Sequence, residues 1–291
     1  MISSAIGPIV NGLVDGAAYA LIGIGFTLIY GVLRRIHFAH GQVCVGAAFT
    51  FVAATERWGL DSVSAALLAC VVGGFLGLVV ERVVYRPMLR RPAIEALAAS
   101  IGAAIFLENA TLLLHGSEIR VLTRPSEPIA WLESLGLFLT IPQTAILLVA
   151  VAAFVLLYVL VAHTRIGRAI RAVGESMEAA ERLGVPVERI GALAFVIGSV
   201  LGTATVLLIG ADTGFYPAMS VELGLRGFTA AVIGSVGSIR GAALAGLAIG
   251  LVEHAVSAFV DPAFREVVVY VLLVVVIAIR PRGLLDRLEG R

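Results

Sequence analysis

The sequence predicts an all-α, polytopic membrane helical bundle of about nine spans, some discontinuous or re-entrant, with its N-terminus outside and C-terminus inside. Three observations lead there. Of the 291 residues 59% are hydrophobic and 14% charged, with mean hydropathy +1.01, whereas a soluble domain carries about 25% charged residues. Apolar runs of about 20 residues recur between polar breaks, the length a helix needs to cross about 30 Å of hydrocarbon with its backbone hydrogen bonds closed; a barrel shows shorter, alternating segments. The basic residues, finally, are segregated between the breaks.

The spans fall at about 8–33, 40–55, 62–84, 93–115, 143–162, 190–210, 222–237, 241–259 and 265–280. The first begins in MISSAIGPIVNGLVDG, which lacks the basic stretch of a cleavable signal and is expected to be retained. Alternation through the nine places Arg34 and Arg35, the Arg82 to Arg91 cluster, residues 163–188, Arg189, Arg240 and the tail on one side. Only Arg57, Arg120, Arg124, Arg226 and Arg265 fall on the other. By the positive-inside rule the crowded side is cytoplasmic. Two segments, 40–55 and 222–237, reach only about 24 Å as straight helices. Both adjoin glycine breaks, a pattern that points to a transport pathway. The chain is expected to form one permease domain, 1–291.

All 21 basic residues are arginine. A phosphate-binding loop with its lysine and a Schiff-base mechanism are therefore excluded. The net charge of +1 indicates no nucleic-acid partner. Cys44 and Cys70 lie in apolar segments, where free cysteine packs as a small hydrophobe.

Asn11, Asp15 and Tyr19, spaced four apart, share a face of the first span. A carboxylate there faces protein or water, so these residues, with Glu108, are candidates to line a solute pathway; an interhelical hydrogen bond is the structural alternative. Glu222 and Arg226 can pair within one helix. Glu253 and His254 are further polar groups inside the bundle. His37 and His40 lack the third ligand and carboxylate of a tetrahedral metal set. The glycine pairs Gly12/Gly16, Gly73/Gly77, Gly198/Gly202 and Gly246/Gly250 allow close helix approach.

The longest polar interruption is HTRIGRAIRAVGESMEAAERLGVPVE, residues 163–188. Arg165, Arg168, Arg171 and Arg182 balance Glu175, Glu178, Glu181 and Glu188. The segment reads as one helix from about Arg165 to Leu183, stopped by Gly184 and Pro186. Ile166, Ile170 and Val173 form an apolar stripe that a merely solvated loop does not need. A grip on a soluble partner is the functional reading.

Seven motifs occur in an order and spacing that together are specific: NGLVDGAAYALIGIGFTLIYGV (11–32), HFAHG (37–41), ERVVYRP (81–87), SIGAAIFLEN (100–109), RIGRAIRAVGESMEAAERLGV (165–185), GLRGFTAAVIGSVGSIRGA (224–242) and RPRGLL (280–285). Over nearly its whole length the chain resembles the LivH-type permeases of bacterial branched-chain amino-acid ABC importers. The resemblance implies a bacterial inner-membrane subunit that couples ATP hydrolysis on partner chains to alternating access for branched-chain or related amino acids. The implied partners are a second related permease, two cytoplasmic ATPases that hold ATP and Mg, and a periplasmic solute-binding protein. No cofactor or catalytic residue is expected on this chain. Residues 163–188 then resemble the coupling segment, with Arg171, Glu175, Glu178, Ala179, Ala180, Leu183 and Gly184 facing an ATPase.

His37 and Gln42 stand where the family has Asn and an acidic residue. Asp15 replaces an apolar residue, Glu108 a Gln and Arg240 the Pro of SIPGA. These departures leave urea or amides as alternative solutes. The rivals from other classes are an ion-coupled carrier using Asp15 or Glu108 and an intramembrane enzyme using Asp15, His37 and His40.

Overall fold

The computed structural model describes residues 2–121, 129 and 139–280, and side chains from residue 7 onward. Arg124 and the tail beyond Arg280, with most of the RPRGLL motif, lie outside the described residues. Among the described residues eleven α-helices follow one another: α1 (Ile2–Leu33), α2 (His40–Trp58), α3 (Ser62–Val80), α4 (Ala93–His115), α5 (Ile141–His163), α6 (Arg165–Glu175), α7 (Met177–Arg182), α8 (Val187–Thr213), α9 (Met219–Ile233), α10 (Ile239–Phe259) and α11 (Arg265–Ile279). A π-turn at Glu81–Tyr85 and a 3-10 turn at Arg86–Met88 prolong α3. Side-chain caps satisfy the first-turn N–H groups of several helices, as expected where bare ends are costly. Asp61 caps α3, Thr140 with Gln143 closes a capping box on α5, and Ser238 caps α10.

Seven helices among the described residues are long and apolar enough to cross a membrane: Gly7–Leu33, Ser62–Met88, Ala93–His115, Ile141–His163, Val187–Thr213, Ile239–Phe259 and Pro262–Ile279. These correspond to seven of the nine expected spans. The exceptions are α2 and α9, the two segments the sequence marks as short. With 15 residues, α9 extends only about 22 Å. Along α2, His40, Gln42, Thr50, Thr55, Glu56 and Arg57 dilute the apolar run. Both helices are sheathed by the others, and most of their residues are buried.

α2 also starts deep in the bundle. A Cβ on Gly25 would lie 2.7 Å from His40 Nε2, and Gly25 is about 12 Å along α1 from its end at Leu33. Residues 34–39 therefore fold back beside the end of α1 before α2 begins.

Among the described residues the most extensive contact is between α1 and α10. A Cβ on Gly12 would stand 3.0 Å from the Gly250 carbonyl oxygen, and one on Gly16 2.8 Å from Leu247 Cα. From the other side, Cβ atoms on Gly246 and Gly250 would overlap the backbone of Ala20 and Gly16. α3 meets α8 with Gly77 and Gly73 against the side chains of Ser199 and Thr203, while a Cβ on Gly198 would lie 3.2 Å from the Gly25 carbonyl oxygen across the α1–α8 contact. Gly12, Gly16, Gly77, Gly198, Gly246 and Gly250 thus mark backbone approach, whereas Gly73 and Gly202 make room for the side chains of Thr203 and Cys44. Without a hydrophobic drive between helices in lipid, such packing is what holds them together.

Gly246→Val is expected to destabilise the protein by at least about 1–3 kcal/mol, because no rotamer removes a Cβ from the Ala20 backbone. Gly102→Val, at an open position on α4, leaves stability unchanged or raised. Thermal unfolding of the detergent-solubilised variants checks both.

Candidate functional site

Three polar regions stand out in the bundle. One lies where α1, α9, α10 and α11 meet, at the end opposite α6 and α7. The Tyr19 hydroxyl donates to Glu253 Oε2 at 2.7 Å, and Arg226 Nε lies 3.0 Å from Glu253 Oε1. Arg265 Nε approaches Glu253 Oε2 at 3.2 Å. Arg265 also pairs with Asp15, which holds His254 Nε2 at 2.9 Å. Arg226 closes the set by pairing with Glu222, reaching Glu266 at 3.6 Å and lying 5.6 Å over the Tyr19 ring.

Glu253 is 0% exposed. A buried carboxylate persists only when its lone pairs are engaged, and here two arginines and a phenol engage them. Next to this network, a cavity of about 440 Å³ is bounded by Asp15, Tyr19, Thr213, Tyr216, Glu222 and Arg226, among others. Tyr216 donates to Glu222 at 2.9 Å. Burial, reinforced by that carboxylate, pushes the Tyr216 phenol up to about 12 and keeps it a donor.

A second region is a cleft of about 180 Å³ among α1, α2, α4 and α9. Phe26, Phe38 and Phe228 form one side, with ring centroids 5.5 Å apart for Phe38–Phe228 and 6.0 Å for Phe26–Phe228. Gln42, Glu108 and Ser220 bring polar groups to it. Gln42 is 7% and Ser220 2% exposed, and neither Gln42 Oε1 nor Ser220 Oγ has a hydrogen-bond partner among the described residues. Such orphaned groups carry a desolvation penalty. Beside the cleft, Gly41 of α2 packs against Gly224 and the Ser220 carbonyl of α9. Neither short helix has a side-chain cap at its N-terminus.

The four residues read as pathway candidates are thus divided. Asp15 and Tyr19 enter the ion network, Glu108 borders the separate cleft, and Asn11 is exposed outside both. Their common helical face gives way to the packing of α10 over Asp15 and Tyr19. The Glu222–Arg226 pair forms as the spacing implies. What sequence reasoning missed is that Glu253, His254 and Arg265 close the same network from more than 200 residues away along the chain. The only local signal was an acidic-basic pair near the end of an apolar helix.

The third region is formed by α6 and α7. Thr164 caps α6 by accepting from Gly167 N at 3.0 Å, and Ser176 caps α7 by accepting from Ala179 N at 3.2 Å. With φ −154°, extended Ser176 divides what the periodicity reads as one helix over 165–183. Ile170 and Val173 are buried against Leu28, Val32 and Leu33, whereas Ile166 is exposed, so the predicted apolar stripe is two residues rather than three.

Arg34 Nε donates to the Gly174 carbonyl at 2.8 Å, and a Cβ on Gly174 would overlap the Gly31 carbonyl oxygen. The end of α6 is thereby fixed to the end of α1. Arg90 and Glu181 stand 3.8 Å apart, and Arg86 pairs with Glu188. Between these elements lies an open cavity of about 750 Å³, bordered by Arg34, Arg35, Arg90, Glu175, Glu178 and Glu181.

Arg171 is exposed and donates to the Val161 carbonyl. Glu175, Glu178, Ala179 and Gly184 are exposed, whereas Ala180 faces inward. Leu183 is 82% exposed, and Gly184 follows with φ +80°, the left-handed conformation that ends a helix. An exposed leucine beside a two-signed charged socket is suited to docking another protein.

Residues 8–277 match a family described as the branched-chain amino acid transport system permease component. The chain is 35% identical to the high-affinity branched-chain amino acid transport system permease protein LivH of Escherichia coli strain K12, over 96% of this chain and 94% of the relative. It is 36% identical to the permease protein BraD of Pseudomonas aeruginosa, over 97% and 95%. Among solved structures it is similar to PsaBC from Streptococcus pneumoniae in complex with Fab, with TM-score 0.52, 12% identity and coverage of 96% of this chain and 93% of that one. At that identity the likeness concerns the fold alone.

Glu253→Ala is expected to destabilise the protein by about 3–5 kcal/mol, because Arg226 and Arg265 would keep their charge without the carboxylate between them. In a double-mutant cycle with Arg226→Met, part of that loss is recovered. Thermal unfolding of the four proteins measures the coupling.

Proposed function

Because the chain belongs to the family of branched-chain amino acid transport system permease components, we propose that it is the membrane-spanning subunit of an ABC importer for branched-chain or related amino acids. The single observation that carries this reading is the match to LivH and BraD along almost the entire chain. The lack of any lysine agrees with ATP and Mg being held by partner subunits.

In this reading α6 and α7 face the cytoplasm and form the coupling segment. Glu178, Ala179, Leu183 and Gly184 meet an ATPase, while Ala180 and Val173 seat the segment on the permease. The Gly174 clamp passes displacement of the segment to α1. The Asp15 to Arg265 network lies at the periplasmic mouth, where it ties four helices and faces the solute-binding protein. The α2–α9 cleft forms one wall of the solute path, with Phe26, Phe38 and Phe228 toward an apolar side chain and Gln42, Ser220 and Glu108 toward the polar groups of an amino acid. A second permease subunit completes the path against α4 and α11, whose outward faces are extensively exposed. α2 and α9 supply the short elements at the centre, and cycling alternates access to them.

Replacement of 178–184 by a flexible polar linker is expected to abolish association with the ATPase while membrane insertion persists. Co-purification and membrane fractionation test this; undiminished association and uptake would remove the coupling assignment. Ala104→Phe, which places a ring in the cleft, abolishes leucine uptake by the reconstituted complex with ATPase binding intact. Normal uptake by this variant places the path elsewhere.

A further inference from the structure

An apolar groove of about 390 Å³ runs between α1, α5 and α10, away from the cleft and the ion network. Ala17, Leu21 and Ile24 line one side, Leu147, Ala150 and Phe154 the second, and Ala243, Leu244 and Leu247 the third. Every lining residue is apolar except one, Arg240. That arginine is the second residue of α10, at the end of the bundle where α6 lies; its neighbour Ile239 borders a cavity with Gly174 and Arg171. Its guanidinium lies 4.6 Å over the Tyr158 ring and donates to the Tyr158 hydroxyl. Arg240 is exposed and has no carboxylate partner among the described residues. His163 packs edge-on against Tyr158, with ring centroids 6.2 Å apart.

A cation held by a tyrosine at one end of an apolar groove has the form of a phospholipid site. We propose that this groove binds one anionic phospholipid from the leaflet at the α6 end, its phosphate on Arg240 and an acyl chain between α5 and α10. The charge decides between occupants. A purely apolar neighbour, such as a helix of another subunit, would cover the Arg240 guanidinium without supplying a counter-ion, and burying an unpaired charge is costly. A phosphate supplies bidentate acceptors to the planar guanidinium, and the chain fills a groove that water cannot favourably occupy. Tyr158 fixes the guanidinium in place, so little ordering remains to be done on binding. Lipid seated there would also support α5, which is otherwise among the least buried helices and leads directly into α6.

The full-length protein in detergent is titrated with phosphatidylglycerol or phosphatidylcholine, and retained lipid is counted by native mass spectrometry. Wild type is expected to retain phosphatidylglycerol preferentially, and Arg240→Gln to lose about fivefold of that retention while phosphatidylcholine is unaffected. Arg189→Gln, which removes an exposed arginine outside the groove, leaves the preference unchanged. Ala150→Phe, filling the groove, lowers retention of both lipids. Three results would overturn the proposal. They are equal retention by Arg240→Gln and wild type, an equal loss in Arg189→Gln, or conversion of a permease dimer to monomer by Ala150→Phe, which would assign the groove to a protein neighbour. Thermal unfolding of Arg240→Gln in lipid-free detergent, expected to match wild type, separates lost lipid from lost fold.

Discussion

The bundle depends on how closely α1 and α10 approach. Helices ordinarily pack with axes 8–10 Å apart. Here Gly12 and Gly16 face Gly250 and Leu247 with no room for a side chain between the backbones. That proximity lets Tyr19 reach Glu253 directly and Asp15 reach His254. With Glu253 held from α1, the arginines of α9 and α11 converge on it, and four helices share one charge set around a buried carboxylate. A larger residue at any of these glycines would separate the backbones and leave the same charges without their partners. Packing and electrostatics are consequently not independent here, and the smallest side chains in the contact permit the most polar one.

The same α1 helix carries both ends of the molecule. Tyr19 lies in the ion network, and Arg34, directly after the helix, holds Gly174 of the peripheral segment. The two positions are about 22 Å apart along the axis. Gly25, between them, lies against His40 at the start of α2. A displacement of α6 relative to the bundle thus bears on the helix that also borders the central cleft and the network beyond it. No chain of side-chain rearrangements is needed when one rigid element touches all three regions.

Much of this was legible in one dimension. Mean composition and apolar run length identify a helical membrane bundle, because hydrocarbon leaves the backbone no other spanning option than helix or closed barrel. The glycine spacings announce the close contacts, and residues 163–188 stand out as a charged interruption. The division of that interruption at Ser176 was less legible. Helical periodicity continues through the serine, and only its side-chain bond to Ala179 N decides that a new helix starts there. Likewise Asn11, Asp15 and Tyr19 follow one helical spacing, yet α10 covers only two of them.

By itself the sequence determined the class of fold, the family, the two short segments and the polar segment between spans, since each follows from local pattern or from the order of motifs. The tertiary structure alone decided which polar residues meet. Glu253 and Arg265 belong with Asp15, Gln42 and Ser220 belong with Glu108, and Arg240 belongs at the end of an apolar groove. The physical reason is that a charge in a membrane helix must find its partner across the bundle. Spacing within a helix says which face a residue occupies; only the packing of helices distant in sequence says what that face meets.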